Sequence, residues 1–197
     1  TMGMPSFRLE KDVVNAEIDV LRELGVEFKT GVEVGKDVTL DELRAQGFKA
    51  FYVAIGCQGG RLAGIPGEGA EDVTVAVDFL REVNSGKIDS LSGRTIVVGG
   101  GNVAMDAART AIRRGAENVT IVYHKTEAEI SSFPSEYEAA VKEGVQFNFL
   151  KQPIAYLNKK QMRALNNIRR KPAESDETDL AGLLVQNITK TDDGQFV

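Results

Sequence analysis

Residues 95–125, "TIVVGGGNVAMDAARTAIRRGAENVTIVYHK", constrain the fold of this chain more than any other stretch. A short apolar run ends in three glycines and gives way to an alanine-rich segment. Gly115 breaks that segment, and a second apolar run follows. Val103, Ala104, Ala107, Ala108, Ala111 and Ile112 recur at helical spacing and predict one apolar face packed on a sheet, while "NVTIVY" reads as the next strand. A strand, a glycine turn, a helix and a strand within about 30 residues make a complete βαβ unit. The expectation is an α/β fold with a Rossmann-like parallel sheet and flanking helices.

The glycines meet the physical demands of a bound pyrophosphate. Gly99 can take positive φ and permit the tight turn. Gly101 has no Cβ to block the close approach of phosphates, and Ala104 is small enough for the helix to lie near the strand. The helix start, from Asn102 and Val103, aims amides and the positive end of the helix dipole at the anion. The bland alternative is a structural α/β turn, against which the complete βαβ context counts. The end of the second strand then selects the ligand. Asp or Glu there grips a ribose 2′-hydroxyl, whereas a 2′-phosphate needs cations. This chain offers His124 and Lys125, so NADP is expected ahead of NAD, with Glu127 nearby as the opposing charge and solvated loop residues as the alternative.

Elsewhere the pattern is coarser. Residues 11–24 place Val13, Val14, Ile18, Leu21 and Leu24 at helical spacing, and "VEFKT" (26–30) reads as a strand. "TLDE" (39–42) is a capping box, with Glu42 reaching back to Thr39. "KAFYVAI" (49–55) has the length and apolarity of a strand buried in a parallel sheet. Helices are expected over 74–84 and 134–143, and a strand at "VQFNFL" (145–150). From 157 to 179 the chain reads as strand-like pieces joined by charged turns, with "ESDETD" (174–179) a solvated turn.

Composition narrows the classes. A net charge of −5 gives no electrostatic reason to expect nucleic acid or anionic membrane, and no apolar run approaches a bilayer span. The single cysteine, Cys57, excludes an internal disulfide, a cysteine-ligated zinc site and an iron–sulfur cluster held by this chain alone, and is expected to be a packed or loop thiol. A cytoplasmic location suits these features. His124 is the only histidine, so no Ser-His-Asp triad or histidine metal site is expected.

One internal similarity bears on organisation. "EIDVLRELGVEF" (17–28) and "EYEAAVKEGVQF" (136–147) share Glu, Gly, Val and Phe at an offset of 119 (136 − 17). A common helix–strand joint would account for it equally well. As a true repeat, it would put the first copy's glycine turn ahead of Thr1 and would have no counterpart of "FYVAIG" after the second. Both ends are therefore expected to be cut.

"GGGNVAMDAARTAIRRGA", "VYHK" and "AIGCQGGRLAGIPGE", together with "GMPSFRLEKDVV" and "EVGKDVTLDEL", resemble the small subunit of bacterial NADPH-dependent glutamate synthase. Related flavoproteins are the flavin half of dihydropyrimidine dehydrogenase and adrenodoxin-reductase-like enzymes. The resemblance runs from the start to about residue 150. It implies an NAD(P)H-binding domain inserted in an FAD-binding domain, with residues 1–58 a partial FAD segment and 59–197 the NAD(P)H domain. It implies hydride transfer from NADPH to FAD and onward to an iron–sulfur domain or large-subunit partner. The family's glycine-loop roles fall on Gly99, Gly100, Gly101, Asn102, Val103 and Ala104. Its 2′-phosphate Arg pair falls on His124-Lys125, its ribose carboxylate on Glu136, and its domain handover on "AIG", with Ile55 and Gly56. The substitution of His-Lys for Arg-Arg weakens bidentate phosphate recognition. The FAD glycine motif is not among these residues, so the chain by itself is expected to hold no flavin and to be inactive. A non-catalytic NADP-binding sensor is the rival reading. Asp106 and Arg109 are expected to form an i,i+3 surface pair, and Arg113 and Arg114 to suit the helix C-terminus.

Overall fold

A computed structural model describes residues 3–167, 180–191 and 195. The chain divides into a unit of residues 6–58 and a second unit of residues 59–197 that also includes the stretch ending at Pro5. "ESDETD" lies outside the described residues.

In the first unit, α1 (Lys11–Glu23) and α2 (Leu40–Ala45) form where the periodicity and the capping box place them. At the start of α2 the Thr39 hydroxyl accepts from the Glu42 amide at 3.2 Å, and the Glu42 carboxylate accepts from the Thr39 amide at 2.7 Å. Neither helix buries a residue. The strands expected at 26–30 and 49–55 do not form. A strand exists only through hydrogen bonds to a neighbour, and among the described residues neither segment has a partner strand. Tyr52, Val53 and Ile55 are 94%, 73% and 78% exposed, so most of this apolar run stays open to solvent.

The second unit has a packed core. Strands β1 (Arg94–Val98), β2 (Asn118–Val122) and β3 (Gln146–Asn148) form a parallel sheet in that order. Parallel neighbours need long crossovers, which α4 (Asn102–Arg113) and α5 (Pro134–Lys142) supply. A further helix, α3 (Ala76–Asn84), packs Phe79, Leu80 and Val83 into the same core as Met105, Ala108, Ala111, Val119 and Ile121. This is the parallel α/β layering expected from the sequence. The third strand is shorter than "VQFNFL", because Leu150 adopts φ 55° and turns the chain away. It leads into β4 (Lys151–Asn158), which pairs antiparallel with β5 (Leu180–Asn187).

Two further expectations need correction. Residues 159–167 form a helix, α6 (Lys159–Asn167), instead of strand-like pieces. Its start is a reciprocal cap: Asn158 accepts from the Gln161 amide at 2.9 Å while Gln161 accepts from the Asn158 amide at 3.0 Å. The second correction concerns α4, which is buried on far more than one stripe. Asp106 and Arg109 are each only 8% exposed and are no surface pair, whereas Val103, assigned to the packed face, is 45% exposed. Helix α4 is covered by α3 and α5 as well as by the sheet.

Candidate dinucleotide site

The three glycines prove to be glycine for three different reasons. Gly99 sits at φ +130°, a backbone that side chains resist, and its amide extends the β1–β2 pairing by donating to the Val122 carbonyl at 3.0 Å. Gly100 yields its space to an aromatic ring: a Cβ there would lie 2.8 Å from Tyr123 ring carbons. Gly101 is constrained by neither. Its φ is −89°, and an added Cβ would meet only Ser131 Oγ at 3.7 Å. The fold leaves room for a Cβ at Gly101, so its bareness suits a ligand that must approach the backbone. Gly101 is also the N-cap of α4, and no side chain caps that helix. Ala104 and Met105 donate back to the Gly101 carbonyl. Earlier amides in a first turn have no intrahelical acceptor and are the ones an anion takes up. Ala104, 7% exposed, keeps the helix close to the strand.

Asn102 does work that the sequence did not reveal. Its side-chain oxygen accepts from the Phe133 amide at 2.9 Å, while the Ser131 amide donates to the Gly100 carbonyl at 3.2 Å. These bonds tie the segment ahead of α5 to the glycine turn. No local pattern signals a bond across 31 residues.

Glu136, the implied ribose carboxylate, is held by Arg109, whose Nη1 lies 2.7 Å from Glu136 Oε2. The same guanidinium reaches Glu143 at 2.8 Å, and Arg113 reaches Glu143 at 2.8 Å as well. The arginine of α4 thus bridges two carboxylates on and just after α5. Hydrogen bonds from Arg113 and Arg109 hold the Glu143 carboxyl below its ordinary 4.5 despite partial burial, and the bond to Glu143 raises Arg113.

His124 is exposed, with its ring edge-on to Tyr123 at 5.0 Å. Lys125 is half-buried, and its carbonyl accepts from the Leu150 amide at 3.1 Å. Both follow β2, whose parallel pairing with β1 puts its C-terminal end beside the glycine turn. Gly99 through Ala104, His124, Lys125 and Glu136 therefore belong to one unit, while Ile55 and Gly56 belong to the other. Cys57 is exposed, a loop thiol. No cluster of metal-ligating side chains occurs among the described residues, and no helix there is long and apolar enough to cross a membrane.

Comparison with known proteins agrees with this architecture. The beta subunit of NADP(+)-dependent formate dehydrogenase from Moorella thermoacetica is 38% identical over 181 residues, covering 90% of this chain and 26% of its own. The small chain of NADPH glutamate synthase from Escherichia coli is 35% identical over 165 residues, covering 78% of this chain and 35% of its own. The chain thus spans well under half the length of these relatives. Among solved structures, FprA of Mycobacterium tuberculosis in complex with NADPH superposes with a TM-score of 0.66 at 16% identity, over 98% of this chain and 55% of that one. That likeness carries the two-dinucleotide-domain fold. With residues 11–185 matching its family pattern, this chain belongs to the pyridine nucleotide-disulphide oxidoreductase family.

Proposed function

We propose that this chain is the NADPH-binding portion of a flavoprotein oxidoreductase of the glutamate synthase small-subunit type. The observation that carries the reading is the open, uncapped start of α4 at Gly101, one strand away from His124-Lys125. Bound there, NADPH would supply a hydride to FAD held mainly by other parts of a longer protein. Electrons would then pass to an iron–sulfur domain or partner subunit.

The chain's own residues would bind and orient, with no acid–base or covalent role. Gly99 and Gly101 would admit the pyrophosphate, and the α4 amides would hold it. His124 and Lys125 would meet the 2′-phosphate, and Glu136, fixed by Arg109, would stand near the adenosine ribose. Residues 59–197 would form the NAD(P)H domain and residues 1–58 a segment of the FAD domain, with Ile55 and Gly56 at the handover. The names of the relatives support NADP as the cofactor and multisubunit electron transfer as the setting. A cytoplasmic location belongs to the same reading.

Calorimetric titration of the chain with NADPH and NADH tests the site. Tighter binding of NADPH is expected, and equal or reversed affinities overturn the specificity. Gly101→Val should abolish binding of both with an unchanged circular dichroism spectrum. Retained affinity would put the pyrophosphate elsewhere.

A further inference from the structure

The basic pair at the end of β2 is followed at once by two carboxylates, Glu127 and Glu129, in a 3₁₀ turn (Glu127–Glu129). Sequence distance alone would let either one pair with Lys125, and a free carboxylate there would repel a phosphate. Neither does so. Glu127 Oε1 accepts from the Tyr137 hydroxyl at 2.7 Å. Tyr137 stands on α5 with its ring edge-on to Phe147 of β3 at 4.8 Å, so the hydroxyl has a fixed position.

Glu129 is held twice over. Its Oε2 accepts from the Thr126 hydroxyl at 2.7 Å in a capping box. Its Oε1 lies 2.8 Å from Lys190 Nζ, a cation brought in from 61 residues away, beyond β5. These bonds lower the Glu129 carboxyl to about 2, with the Lys190 hydrogen bond the largest cause. The backbone is pinned as well, since the Tyr123 hydroxyl donates to the Glu129 carbonyl at 3.0 Å. Among the described residues, His124 and Lys125 enter no ion pair. The two anions beside the basic pair are committed elsewhere, and the pair is left available.

We infer that Lys190 and Tyr137 are positioning residues for cofactor specificity: by tying down Glu129 and Glu127 they keep His124 and Lys125 uncommitted and favour a dinucleotide bearing a 2′-phosphate. The inference rests on the site proposed above. Neither residue need touch the ligand. Lys190 neutralises one carboxylate and Tyr137 fixes the other. A ligand without the 2′-phosphate is indifferent to both, which separates this role from a merely structural one.

The test is calorimetric titration of the 197-residue chain and its variants with NADPH and with NADH at low ionic strength. Lys190→Met should weaken NADPH about three- to tenfold, as expected for one uncompensated charge at partly screened range, and leave NADH unchanged. Tyr137→Phe should shift the ratio the same way by a smaller factor. Adding Glu129→Gln to Lys190→Met should restore the NADPH preference, because the released charge is then gone. Equal losses for both cofactors, or no rescue by Glu129→Gln, would overturn the inference and leave the site standing. If the unaltered chain shows no preference for NADPH, the proposed specificity fails and the inference fails with it.

Discussion

Two stretches of this chain begin almost alike and end differently. "EIDVLRELGVEF" forms the end of α1 and then a segment that pairs with no strand among the described residues, whereas "EYEAAVKEGVQF" forms α5 and then β3. The matching phenylalanines show the result: Phe28 is 42% exposed, while Phe147 packs against the core. What differs is the neighbourhood. Gln146–Asn148 meet β2, which already pairs with β1, and α5 packs on α4. Helix and turn are local and form in both places. A strand becomes one only when another strand offers its hydrogen bonds.

The same contrast governs ion pairs, and here the largest effect is expected. Arg109 has 9% side-chain exposure and serves two carboxylates that are themselves about four-fifths buried. Arg109→Met should cost about 3 kcal/mol, since it removes the guanidinium from both carboxylates in a poorly solvated place, with Arg113 still bonded to Glu143. Arg44→Ala, in the first unit, breaks a pair with Asp41 that is 59% and 90% exposed and should cost under about 0.5 kcal/mol. Urea unfolding of both variants checks this. Similar losses for the two would erase the distinction between the units.

A middling effect sharpens the comparison from the other side. If local bonds are what order the first unit, removing one should be felt there and nowhere else. Thr39→Ala deletes half of the capping box and should cost α2 about 1 kcal/mol. Amide exchange at Leu43 and Gln46 should then quicken about fivefold, with the melting of the second unit unmoved. Unchanged exchange would mean that something other than the cap holds α2.

The smallest effect depends on pH. In the folded chain the Glu143 carboxyl lies below its ordinary 4.5, chiefly through the Arg113 hydrogen bond. A depressed carboxylate contributes its full stabilisation above its unfolded value and loses it as pH falls toward the folded one. The difference in Tm between the unaltered chain and Glu143→Gln should therefore be steady from pH 7 to about 5 and shrink below about 4.5. A gap that persists to pH 3 would assign the stabilisation to packing instead of charge.

Sequence alone determined the features that rest on neighbours a few residues apart. The β1–α4–β2 unit, the Thr39 cap, the stop of α1 and the span of α5 follow from periodicity, capping and glycine placement, each acting within one or two turns. The Asn158–Gln161 cap of α6 was legible by the same logic but hidden in a polar stretch that lacks apolar period. The backbone of the glycine turn was legible too, because the positive φ of Gly99 and the helix start at Gly101 follow from glycine placement. Tertiary structure alone decided the rest. It assigned Gly100 to the Tyr123 ring, turned Asn102 into a tether for Phe133, and drew Arg109 into the interior between Glu136 and Glu143. It also left 49–55 without a strand partner among the described residues, despite ideal strand composition. Each of these depends on which group arrives from 20 or more residues away, or on none arriving, and a burial or a hydrogen bond has no meaning until its partner is in place.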